Sequence, residues 1–120
     1  MNITHISILS VPVKDQEAAK AFYTEKLGFS VLRDDPFGDQ RWIQVAPEGA
    51  QTSITLVSGP QYMPPGSQQG VVLVTKDVRS DQKTLKARGV KISDIENAPW
   101  GAYATFNDPD GNGWVLQQNA

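Results

Sequence analysis

The chain contains no cysteine. That removes disulfides, thiolate metal sites and cysteine nucleophiles at one stroke, and it fits a reducing compartment. Histidine occurs once, at His5, which excludes any mechanism needing two imidazoles from one chain. Runs of like charge never exceed two residues, and the formal net charge is −2. The basic stripe that offsets phosphate charge is missing, so no nucleic-acid partner is expected. No apolar run approaches the roughly 18 residues of a membrane span, so no membrane partner is expected. The opening Met-Asn-Ile-Thr-His-Ile-Ser-Ile-Leu-Ser has neither a basic start nor a continuous apolar stretch, which differs from a secretory signal. The expected location is cytoplasmic.

What is present is the composition of one globular domain. The 120 residues are 39% hydrophobic and 20% charged, enough chain to bury a core without staples. Residues 3–11 read as a strand, with Ile6 and Ile8 on one face and His5, Ser7 and Leu9 on the other. Asp15 stands at a helix N-cap with Glu17 in the first turn. Ala19, Phe22, Tyr23 and Leu27 follow at helical spacing, and Gly28 stands where such a helix closes. Three strands are predicted next, Phe29–Arg33, Gln40–Ala46 and Ser53–Val57, with turns at Asp34-Asp35-Pro36 and Pro47-Glu48-Gly49. Residues 58–69 are rich in proline and glycine, have no period, and read as a linker.

The order then repeats. Val71–Thr75 is a predicted strand, Ser80–Arg88 a helix closed by Gly89, and Val90–Ile92, Ala102–Phe106 and Trp114–Gln118 three more strands. Asp108-Pro109-Asp110-Gly111 is type I turn chemistry between the last two. Three correspondences occur in the same order in both halves: His5–Val13 with Gly70–Val78, Leu27–Val31 with Arg88–Ile92, and Pro47-x-Gly49 with Pro109-x-Gly111. Together they indicate an internal duplication. The fold class is α+β, two βαβββ modules at about 1–57 and 70–120 within a single domain spanning 1–120.

Two βαβββ halves carrying Ala21-Phe22-Tyr23-x-x-x-Leu27-Gly28-Phe29 and Phe106-x-Asp108-Pro109-Asp110-Gly111-Asn112 resemble the vicinal oxygen chelate superfamily over essentially the whole chain. That group includes glyoxalase I, extradiol dioxygenases, fosfomycin-resistance enzymes and bleomycin-resistance proteins. The resemblance implies a glyoxalase-like domain whose curved mixed sheet forms a ligand trough, and a homodimer. In its metal-dependent members, four ligands come from the first and last strands of each half. The corresponding positions here are His5, Thr55, Gly70 and Val115. Only the imidazole is a metal donor of the expected type, and one neutral imidazole does not hold a divalent ion tightly. Neighbouring residues Gln69, Val71, Trp114 and Leu116 do not restore the set, and Glu48 and Glu96 fall at turns or strand edges.

The expected function is therefore metal-independent binding of a small molecule, with no cofactor, possible roles including sequestration of a drug or metabolite. The expected cavity residues are His5, Ser7, Thr55, Val57, Val72, Val74, Val115 and Gln117, with Trp42 placed either in the cavity or in the core. The alternative is a glyoxalase-like lyase, isomerase or dioxygenase with a non-standard metal site. His5 reads either as a general base near neutral pH or as a satisfied strand histidine. A Ser7–His5 nucleophilic pair has no orienting carboxylate in view. Strand parity puts Trp114 and Leu116 on the helix side of the last strand. Trp100, Tyr62 and Phe37 are expected in loops, and Arg41 either meets an anionic ligand or faces solvent.

Overall fold

A computed structural model describes residues 1–59 and 63–120; the Tyr62 assignment lies outside the described residues. The chain divides into two compact units, 1–65 and 66–120. In the first unit β1 (Ile8–Pro12) leads to α1 (Gln16–Ala21), which continues as a single π-turn over Phe22–Lys26. Strands β2 (Ser30–Phe37), β3 (Gln40–Ala46) and β4 (Ser53–Val57) follow. They form one mixed sheet in the order β1-β4-β3-β2, with β1 and β4 parallel. The second unit comprises β5 (Val71–Val74), α2 (Val78–Ala87), β6 (Glu96–Ala98), β7 (Gly101–Asn107) and β8 (Gly113–Asn119). Its sheet order is β5-β8-β7-β6, with β5 and β8 parallel. Each unit is thus βαβββ, and the architecture is α+β.

Each helix starts on an aspartate whose carboxylate replaces a missing backbone partner. Asp15 Oδ1 accepts from Ala18 N at 3.0 Å and Asp77 Oδ1 from Ser80 N at 3.0 Å. The second cap explains why α2 begins at Val78, earlier than the sequence suggests. Val78 and Leu85 supply its buried stripe.

In the first unit one sheet face packs beneath α1. Asp34 pairs in register with Ile43, and Ile43 with Leu56, so these side chains share a side. Asp34 reaches α1 through Lys20 Nζ at 2.7 Å, which identifies that side as the covered one. Val11, Ile43, Val45 and Leu56 are buried there. Arg41 Nε donates to Asp34 Oδ1 at 2.9 Å, and Arg41 Nη1 lies 3.2 Å from Glu17 Oε1. The sequence left Arg41 open between ligand and solvent; in the fold it fastens helix to sheet. Gln16 adds to this joint, its Nε2 donating to Arg41 O at 2.7 Å and Leu56 O at 2.8 Å while its Oε1 accepts from Arg41 N at 3.1 Å.

In the second unit Trp114, Leu116, Ala104 and Phe106 are the buried counterparts. Gln118 shares their side and its Oε1 accepts from Val78 N at the start of α2, at 2.9 Å. Turn Asp108–Gly111 closes with Gly111 N donating to Asp108 O at 3.0 Å. Buried Asp108 also accepts from Asp110 N and Asn112 N through Oδ1, both at 2.9 Å, and from Asn112 Nδ2 through Oδ2 at 2.8 Å.

Other boundaries also differ from the sequence reading. The first strand starts at Ile8 rather than residue 3. Strand β2 runs through Asp34-Asp35-Pro36 to Phe37 instead of turning there, because it is a sheet edge where proline's missing N–H is tolerated. Residues 90–92 are not a strand; only Ile92 bridges to Phe106. The strand in that part of the chain is β6, at Glu96–Ala98.

Two outcomes follow. The Arg41 and Lys20 contacts hold the Asp34 carboxyl well below the usual carboxylate range. Its stabilising effect is therefore complete above the unfolded-state value near pH 4 and is lost as pH falls below it towards the depressed native value. Asp34→Asn should lower the melting temperature at pH 7, and that deficit should shrink progressively below about pH 4. Gly101 has φ 147°, and a Cβ there would collide with Gln118 O. Gly101→Ala should cost at least about 1–3 kcal/mol in a denaturant melt.

Candidate functional site

Because side chains alternate along a strand, the face turned away from each helix can be read from the register. In the first unit it carries Ile8, Ser10 and Pro12 opposite Ser53, Thr55 and Val57, then Gln44 opposite both Thr55 and Arg33, and Trp42 opposite Asp35. Trp42 Nε1 donates to Gln44 Oε1 at 3.0 Å, and Gln44 Nε2 donates to Ser53 Oγ at 2.8 Å. Thr55 is buried, with its hydroxyl donating to Ile43 O at 3.1 Å. In the second unit the corresponding face carries Val72 opposite Val115, Val74 opposite Gln117, Thr105 opposite Val115, and Tyr103 opposite Gln117 and Glu96. Val72 and Val74 are 47% and 67% exposed, an unusual state for valine in a strand.

Each unit places an aromatic pair at the same topological point. In the first, Phe37 at the end of β2 meets Trp42, the third residue of β3, edge to face with centroids 5.7 Å apart. In the second, Trp100 at the β6–β7 turn lies on Tyr103, the third residue of β7, with centroids 5.5 Å apart and planes 22° from parallel. The outer ring of each pair is about half exposed, Phe37 at 51% and Trp100 at 47%. The Trp100 backbone is pinned by Ala120 N donating to Trp100 O at 2.8 Å.

The sequence-predicted cavity residues separate by strand. Trp42, Thr55 and Val57 share the face away from α1 in the first unit, and Val72, Val74, Val115 and Gln117 share the equivalent face in the second. His5 and Ser7 precede β1 and are not on a strand. His5 is exposed, with Nδ1 2.8 Å from its neighbour Thr4 Oγ1, and Ser7 is exposed while its carbonyl accepts from Ser53 N at 2.9 Å. The four positions matched to metal ligands are not register partners within either unit. Thr55 stands opposite Ser10 instead of His5, and Val115 opposite Val72 instead of Gly70. Gly70 lies one residue before β5, its N–H donating to Gly113 O at 3.1 Å. Among the described residues no three His, Cys, Asp or Glu side chains gather as a metal-binding group. Among the residues of these faces that the sequence does not place in the expected cavity are Tyr103, Thr105 and Ser10. The turn at Asp108–Asn112 contained the signal for two of them, since it pairs Asn107 with Gly113 and thereby fixes Thr105 against Val115 and Tyr103 against Gln117.

These faces mix valines and aromatic rings with amides, hydroxyls and the charged residues Arg33, Asp35 and Glu96, a set that can meet both the ring and the polar groups of a small molecule. The pattern of the Glyoxalase/Bleomycin resistance protein/Dioxygenase superfamily matches residues 2–116. The chain belongs to this superfamily. It is 50% identical to the crystal structure of TnmS3, an antibiotic binding protein from Streptomyces sp. CB03234, with a TM-score of 0.95 over 100% of this chain and 99% of that one. A superfamily member from Sphaerobacter thermophilus DSM 20745 is 34% identical, with a TM-score of 0.90 over 99% and 100% of the two chains. Among curated proteins, the uncharacterized protein YetH of Bacillus subtilis (strain 168) is 35% identical over 97% of this chain and 99% of its own.

Since His5 precedes β1 and is exposed, His5→Ala should leave the affinity of any open-face ligand within about twofold, measured by titration of the two proteins side by side.

Proposed function

We propose that this chain is a metal-independent small-molecule binding protein whose ligand is a largely apolar compound with flat ring systems, and that it acts by sequestration. The observation that carries this reading is the stacked Trp100–Tyr103 pair, which offers a half-exposed indole face beside a strand face of valines and glutamine. Exposing such a ring to water is unfavourable, and stacking against another ring is worth about 0.5–1.5 kcal/mol beyond the area buried. The likeness to an antibiotic binding protein supports the same ligand class. Metal independence is supported by the chemistry of the four matched positions, since of His5, Thr55, Gly70 and Val115 only His5 is a donor of the expected type, and among the described residues no three His, Cys, Asp or Glu side chains gather. Exposed Ile3 and Ile6, which lie outside the ligand face, support a homodimer.

A thermal-shift screen against antibiotics and metabolites tests the binding reading. A ligand at 100 times its Kd should stabilise the protein by about 2.7 kcal/mol, a shift of several degrees for a chain of this size. Trp100→Ala should weaken any hit by roughly threefold to tenfold, and the free protein, having lost the stack on Tyr103, should melt a few degrees lower while staying folded. Stabilisation by flat aromatic compounds that is identical in wild type and Trp100→Ala would count against this use of the ring. Stoichiometric nickel, zinc, manganese or iron in protein purified without chelators would overturn metal independence. Light scattering on a sizing column should give twice the chain mass.

A further inference from the structure

The open face of the second unit ends in a cleft of about 340 Å³ whose lining includes Gly70, Lys91, Thr105, Asn107 and Val115. Among the described residues, Lys91 is the only charged one in the lining, and none is a carboxylate. The lysine is turned outward by its neighbours. Val90 and Ile92 on either side are buried, Val90 N donates to Leu85 O at 2.9 Å, and Ile92 bridges to Phe106. Ser93 then binds Thr105 in both directions, Ser93 N to Thr105 O and Thr105 N to Ser93 Oγ, each 2.9 Å. The backbone on both sides of the cleft is thereby fixed, while among the described residues nothing bonds Lys91 Nζ, the Thr105 hydroxyl or the Asn107 amide. The remaining polar side chain in the lining, Gln69, is already engaged: its Nε2 donates to Gly66 O and Gly111 O, both at 2.9 Å. Three free donor groups, one of them cationic, therefore face a space without a competing anion.

We propose that this cleft receives an anionic oxygen group of the ligand, a carboxylate or comparable acid, and that Lys91 is a specificity-determining residue for it. The inference rests on the small-molecule reading above and adds the charge of one end of the ligand. Geometry joins the two. Thr105 in the cleft and Tyr103 under Trp100 are alternate residues of β7 on the same face, so their positions are about 7 Å apart. A ligand that spans this distance meets the aromatic pair with one end and the cleft with the other.

The test uses two probes of one shape, 2-naphthoate and its neutral counterpart 2-naphthamide, titrated into the full chain and followed by amide and indole N–H signals in NMR. Both should shift the Trp100 indole and the Thr105 and Asn107 amides. Naphthoate should bind about threefold to fivefold more tightly, the range of a partly exposed ion contact. That advantage should weaken with added salt, vanish in Lys91→Met and persist in Lys91→Arg. Lys91 is exposed, so an unchanged melting temperature confirms that the variants fold. Naphthamide binding as tightly as naphthoate, or a naphthoate preference that survives Lys91→Met, overturns the assignment of Lys91 and leaves the small-molecule reading in place. Failure of both probes to perturb the open-face signals overturns both.

Discussion

Parallel pairing between the first and last strands of each unit is the constraint on which the rest depends. Two parallel strands cannot be joined by a tight turn, so the chain must cross over, and here each crossover carries a helix that lies against one face of its own sheet. That helix covers Val11, Ile43, Val45 and Leu56 in the first unit and Trp114, Leu116 and Phe106 in the second. Nothing in a βαβββ unit supplies a second helix for the other face. The face without a helix is therefore a product of the topology; in the first unit Pro12, Ser53, Thr55 and Val57 on it are buried all the same, while in the second Val72 and Val74 are exposed.

The two units fasten the same frame by different means. In the first, a charged joint of Lys20, Asp34, Arg41 and Glu17, with the Gln16 amide across it, ties helix to strands. In the second, Gln118 meets the start of α2, and the Asp108–Asn112 bonds close the turn into the last strand. The duplicated frame is thus not a duplicated set of contacts. The aromatic pairs follow the frame rather than the fastenings, since Phe37–Trp42 and Trp100–Tyr103 occur at matching hairpins. The open faces also differ: Thr55 and Val57 are buried, whereas Val115 and Gln117 at the matching places are partly accessible.

Elements with strong local chemistry were legible in the sequence. Capping aspartate, helical spacing and closing glycine marked α1, while turn residues bracketed β3, β4, β7 and β8. The failures occur where tertiary context decides. Residues 3–7 alternate well enough for a strand, yet β4 begins at Ser53, so no partner strand remains beside them. Pro36 was read as a turn because its edge position is invisible in one dimension. Three-residue β6 has no hydrophobic alternation of its own and exists because β7 pairs with it. For the candidate site, alternation along the last strand correctly separated Val115 and Gln117 from Trp114 and Leu116. His5 and Ser7 were placed by extending a strand that ends sooner. Lys91 was passed over because burial of both its neighbours, the fact that turns it outward, is a property of the folded unit.

The glycine after Trp100 has a consequence for how such a face can change over evolutionary time. Its conformation and its approach to the backbone of Gln118 admit no side chain, so the hairpin path beside the indole is not adjustable by substitution at that position. A lineage under pressure to hold a different compound cannot slide the ring along the strand or lengthen its reach from position 101. It can only exchange the ring at 100, or the residues across the face from it, each on an unchanged backbone. Divergence in what these proteins hold would then be concentrated in a few side chains, while the turn that presents them stays the same.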